Sequence, residues 1–226
     1  MTGLPLLARA QQVGTGLAFI VFPLVFVLAF ALHPGLLDPH LAAPEELVLR
    51  ARHNPGLQLG HALVTLNTAL LVVAALHFMA LTAGTSGAWR GFVGGCLAIL
   101  GTLILAADKG ALCLTVSALE GLPQDEFQRM MPGLLAIFAK QGWLVLLWGI
   151  VLLPFGFAIQ ALGLLRSQSL PRWQSISLLV AVLFVATPDG MEIINLSASL
   201  LLAAAFVPYG FRLLAPRRPT TVYADA

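Results

Sequence analysis

Three polar groupings sit where apolar sequence surrounds them, and with one acid in a turn these are the residues that could do chemistry. Asp108-Lys109 follows a mostly apolar run over 91–107. If a helix continues past the pair, Lys109, Cys113, Ser117 and Glu120 share one face. Glu192, Asn195 and Ser199 recur at helical spacing near the start of the last apolar run. His61, Thr65 and Thr68 do the same near the start of the second, and Asp189 lies in the turn before Glu192. Asp108, Lys109, Asp189, Glu192, Asn195 and His61 therefore form a candidate polar cluster. Its expected chemistry is ligand binding or proton handling, because an ionisable group at membrane depth is costly and calls for a partner. Lys109 is expected to pair with Glu192 or Asp189. Asp108 is its chain neighbour, and successive helix residues point ~100° apart. Asn195 and the hydroxyls are expected to bond between helices. The plain alternative is that these residues simply end their helices at the lipid headgroups.

No catalytic constellation accompanies them. The sequence contains no His-Glu-x-x-His, no Cys-x-x-Cys, no glycine-rich phosphate loop and no Gly-x-Ser-x-Gly elbow. Catalytic residues and metal ligands are therefore both read as none. No cofactor is expected, with haem or metal at the outer histidines as the alternative. His33, His40, His53 and His61 fall near one side. His77 lies sixteen residues beyond His61, ~160° around the helix, so these two cannot share a centre. Cys96 and Cys113 are not spaced as a redox pair.

Composition dictates what must position the cluster. Of 226 residues 59% are hydrophobic and 10% charged, against roughly 25% charged in a soluble domain. Mean hydropathy is +0.92. These values exclude a soluble enzyme, a disordered chain and a nucleic-acid binder, and two cysteines exclude a disulfide scaffold. The expected fold is an all-α polytopic transmembrane bundle forming one domain over 1–226. A span needs about 20 apolar residues. Six runs qualify or nearly do: 13–33, 58–81, 91–107 with extension to 119, 142–165, 173–187 and 191–211. The first is expected as a retained helix rather than a cleaved leader. Pro23 and Pro154 are expected to kink the first and fourth.

With both termini inside, the inner segments hold seven basic residues and one acid, while the outer segments hold five basic residues and nine acids. That bias favours an N-in/C-in arrangement. The longer connections, 34–57 and 110–141, then lie outside. The second carries an apolar stripe (Phe127, Met130, Met131, Leu134, Leu135 and Phe138) that suits a short interfacial helix on the extracytoplasmic side. Gly91, Gly94, Gly95, Ala98 and Gly101 give the third run small faces. Such faces serve close packing within a bundle, or a homodimer through Gly91/Gly95.

The join Gly163-Leu-Leu-Arg-Ser167-Gln-Ser-Leu-Pro171-Arg-Trp173, followed by an apolar run, resembles a recurrent join in uncharacterised six-helix bacterial integral membrane proteins. The resemblance covers the last third of the chain. It implies architecture only and assigns no functional residue. The abundance of Leu, Ala, Gly and Arg and the scarcity of Lys fit a bacterial inner (plasma) membrane. The leading expectation is a non-catalytic integral membrane protein, either an accessory subunit of a membrane complex or a bundle that binds an apolar ligand or lipid. Its expected partners are membrane lipids and other membrane subunits, and no nucleic acid. A small proton- or ion-coupled transporter with an outward-facing polar site is the alternative, and a membrane-embedded haem or metal protein the third.

Overall fold

Asn54 and Pro55 start a helix by two independent means. The Asn54 side-chain oxygen accepts from the Leu57 N–H at 3.0 Å, and Pro55 takes the first turn, where no N–H is needed. At the join noted above, Gln168 adopts φ 54° and ends a helix. The Ser169 hydroxyl then donates to the Leu81 carbonyl at 2.8 Å, tying that turn to another helix end.

The computed structural model describes residues 3–37, 43–139, 149–185 and 191–215. Within them the architecture is all-α: α1 Gly3–Ala31, α2 Pro44–Ala51, α3 Pro55–Thr82, α4 Ala88–Leu119, α5 Gln124–Phe138, α6 Leu152–Ser167, α7 Arg172–Val185 and α8 Glu192–Leu214. Five helical stretches are long and apolar enough to cross a membrane: Leu6–Ala31, Pro55–Thr82, Ala88–Leu119, Gly149–Ser167 and Glu192–Leu214. The fifth of the six expected spans is the exception. α7 has 14 described residues, ~21 Å at the helical rise, against ~30 Å for a hydrocarbon core.

Six helices close into a ring in the order α1, α3, α4, α6, α7, α8, with α8 returning to α1. Small residues set the tightest contact. A Cβ on Gly156 of α6 would run into the Ala98 backbone of α4, and one on Gly94 would run into the Gly156 carbonyl. Gly91 and Gly95 are buried too, against Thr82 and Met79 of α3 and Gln160 of α6. The face open to a homodimer in the sequence is thus occupied within the chain.

Buried amides lock neighbouring helices together. Gln160 Nε2 donates to the carbonyls of Ala75 (2.9 Å) and Gly91 (3.2 Å). Gln174 Nε2 donates to that of Ala205 (2.6 Å), and Asn67 Nδ2 to that of Phe22 (2.9 Å). Side-chain hydrogen bonds between the helices of membrane bundles contribute ~0.6 kcal/mol on average, up to ~1.7.

Arg9 Nη2 donates to the Leu214 carbonyl at 2.9 Å, so α1 begins where α8 ends. Ser86 Oγ meets the Arg166 carbonyl at 3.2 Å at the same end of the ring. Arg9, Arg90, Arg166, Arg172 and Arg212 thus gather at one end. Glu45, Glu46, Asp108, Glu120, Asp125, Glu126 and Glu192 lie toward the other.

Several expectations need correction. α1 begins at Gly3 rather than near residue 13. α4 runs unbroken through Asp108-Lys109 to Leu119, the longer of the two alternatives. Pro154 stands in the first turn of α6, after a 3-10 turn over 149–151, where its missing N–H removes no bond and no kink is required. α2 was not foreseen. The apolar stripe of α5 is divided: Phe127, Met131 and Leu134 are buried with Val48 of α2, while Met130 is exposed. The two short helices thus cover each other's apolar faces. The Arg52 guanidinium stacks over the Phe127 ring at 4.1 Å and donates to the Leu122 carbonyl at 2.8 Å. The start of the fourth expected span and the turn holding Asp189 lie outside the described residues.

Candidate functional site

The two ends of the ring are filled differently. Toward the basic end Phe19 packs against Phe78, Phe206, Tyr209 and His77, with centroids 5.1–5.5 Å apart. His77 Nε2 meets Tyr209 Oη at 2.7 Å within this aromatic plug. Toward the acidic end the ring is hollow. A cavity of about 280 Å³ is lined by all six ring helices.

Its wall is apolar. α1 contributes Phe22, Phe26, Ala29 and Phe30, and α3 contributes Val64, Leu71 and Phe78. Leu105 of α4, Phe157 of α6, Leu178 and Val182 of α7, and Leu202 of α8 complete it. Phe78 meets Phe157 edge-on at 6.3 Å. In α8 the lining runs from Glu192 to Leu202, an axial depth of ~15 Å at the helical rise.

The mouth is polar, and five of the six candidate residues line this cavity: His61, Asp108, Lys109, Glu192 and Asn195. Asp189 lies outside the described residues. Asp108 is a described partner of Lys109 that the expectation passed over, and the expected pairing of Lys109 with Asp189 lies outside the described residues. Lys109 Nζ stands 3.7 Å from Asp108 Oδ2; the long lysine stem folds back across the angle that separates two adjacent Cβ atoms. Glu192 meets one of the outer histidines, which the sequence reading left out of the polar cluster: His33 Nε2 lies 3.5 Å from Glu192 Oε1. Asn195 Nδ2 donates to Glu192 Oε2 at 3.4 Å along its own helix. The hydroxyls also turn inward on their own helices. Thr65 donates to His61 O, Thr68 to Thr65 O and Ser199 to Asn195 O.

His33 Nδ1 faces the Pro34 carbonyl at 3.1 Å, and a carbonyl only accepts, so Nδ1 carries a hydrogen. Asp108 and Glu192 are 2% and 3% exposed, so both carboxyl groups lie out of bulk solvent.

No protein-family model, curated protein or solved structure matches this chain. The site must be read from its own residues.

The rest of the polar face on α4 belongs to a separate group. Gln58 Nε2 donates to Glu120 Oε2 at 3.1 Å, and His53 Nδ1 lies 3.8 Å from Glu120 Oε1. Cys113 Sγ faces the Gln58 carbonyl at 3.6 Å. Ser117 is exposed. Among the described residues no three His, Cys, Asp or Glu side chains converge as a metal site. What the sequence reading missed is α1. Phe22, Phe26, Ala29, Phe30 and His33 recur at helical spacing and face the cavity together. That aromatic stripe ending in a histidine was the available signal.

Proposed function

We propose that the chain is a non-catalytic, membrane-spanning bundle that binds a small apolar or amphiphilic ligand in its central cavity. The observation that carries this reading is the cavity itself, apolar along its depth and polar only at the mouth. Binding pockets combine these two features, the apolar wall giving affinity and a few polar groups fixing orientation. The cavity is at the small end of the usual range, which favours a compact ligand over a two-chain phospholipid.

Membrane insertion is supported by what faces outward. Leu17, Leu24, Leu66, Leu103, Phe155, Leu183 and Leu200 are exposed large apolar side chains, whereas Asn67, Gln160 and Gln174 are buried inside. This distribution suits lipid as the surrounding solvent. We assign six spans in a bacterial inner membrane, with the arginine-rich end in the cytosol. A reporter fused after Arg218 should be active only on the cytosolic side; activity confined to the outer side would reverse the assignment.

Cavity filling tests the binding reading. Val182 is 8% exposed and lines the wall. Val182→Trp should retain a wild-type elution profile and lower the binding of a spin-labelled hydrocarbon by tenfold or more. Unchanged binding by that folded variant would refute the cavity as the site.

One observation favours a second reading, a small proton- or ion-coupled transporter: a histidine–carboxylate contact and a lysine–carboxylate pair stand together at the mouth. Substrate-dependent proton movement in vesicles, lost in Glu192→Gln, would establish it.

A further inference from the structure

Asp108 lines the cavity, is 2% exposed and has an Oδ2 atom without a hydrogen-bond partner among the described residues. Lys109 Nζ at 3.7 Å is within ion-pair range but beyond a hydrogen bond. A buried charged acceptor left in this state is costly. An occupant that brings a donor to it therefore gains more than the same donor gains in water. The neighbouring groups decide which donor. A carboxylate head would be set against Asp108 and Glu192. An ammonium head would be set against Lys109. Either would also give up its hydration on entering. One hydroxyl avoids both conflicts. Its hydrogen donates to Asp108 Oδ2, and its oxygen accepts from the Lys109 ammonium, which has three donors. The cavity of about 280 Å³ is at the small end for a ligand pocket, which favours a slender single-chain or single-ring occupant.

We propose that the cavity selects an uncharged amphiphile with one hydroxyl head and a single apolar chain or ring. The hydroxyl bridges Asp108 and Lys109, and the tail lies among Phe22, Phe26, Phe78 and Phe157. This rests on the ligand-binding reading above and adds the chemical class of the ligand.

Four decyl probes with a terminal diazirine test it. They share the chain and differ in the head: hydroxyl, carboxylate, ammonium, or none. The intact protein in lipid nanodiscs is photolabelled with each, and the labelled peptides are mapped. The hydroxyl probe should label the deep wall, Leu71–Phe78 of α3 and Leu178–Val182 of α7, about fivefold more than the others, the ratio one net hydrogen bond supplies. Asp108→Leu should reduce it to the level of the headless probe, with headless labelling retained. Equal labelling by all four, or preference for a charged head, would overturn the hydroxyl assignment and leave the apolar cavity standing. Labelling of the deep wall by none of them would overturn both. If Asp108→Leu does not fold, the ranking of the four probes on the unaltered chain decides the question.

Discussion

Adding one methyl group at Gly156 is expected to destabilise the fold by ~2–3 kcal/mol, while the same addition at Gly133 stabilises it by ~0.5–1 kcal/mol. The opposite signs follow from what each Cβ would meet. At Gly156 it meets the backbone of Ala98 and the carbonyl of Gly94, atoms of a helix main chain that cannot rotate aside. α4 and α6 must separate, and the contact carrying Gln160 and its two carbonyl partners opens with them. At Gly133 nothing lies within 4 Å, so the methyl group only removes the backbone freedom that glycine keeps when unfolded. Unfolding of Gly156→Ala and Gly133→Ala under a denaturing detergent titration measures both. Equal and small effects would mean that α4 and α6 are not held at the spacing found here.

How much of this was legible beforehand depended on the range of the interaction. Apolar runs are local properties, so α3, α4 and α8 lie where the runs 58–81, 91–107 with extension to 119, and 191–211 place them. Five of the six candidate residues line one cavity, and counting residues along a helix is what put them at a common height. Which side chains meet was not. Pairing His33 with Glu192 requires knowing that α1 lies against α8, and nothing in the local pattern of either helix states its neighbour. The Lys109–Asp108 contact was hidden for another reason. The ~100° rule describes Cβ directions, and a lysine ammonium at the end of four methylenes can depart from its own Cβ direction. The cavity was the least legible feature. It arises from the difference between an aromatic plug at one end of the ring and a thinner filling at the other, a property of six helices together. α2 was hidden because its eight residues give too short a pattern to separate from a loop.

Replacing Lys109 by Met is expected to lower stability by ~3 kcal/mol, and adding Asp108→Asn is expected to restore most of the loss. The argument starts from burial. Asp108 is 3% exposed at the side chain and Lys109 19%. Removing one partner of a buried ion pair leaves the other charge uncompensated, typically at ~3–5 kcal/mol; the low end applies here because Lys109 still reaches solvent. Neutralising both removes the stranded charge as well as the attraction, so the double variant should lie close to the original chain, with a coupling of about 2 kcal/mol across the cycle. Detergent-titration stability of the two single variants and the double variant supplies the measurement. Additive losses would show that the residues act independently and that the 3.7 Å contact carries no energy. The cycle also separates architecture from binding. A structural ion pair predicts a double variant that is stable and still binds its ligand. A ligand site predicts a double variant that is stable yet indifferent to the head of the ligand, because an amide and a thioether at these two positions no longer offer a carboxylate and an ammonium to one hydroxyl. The two roles then have different signatures in one folded protein.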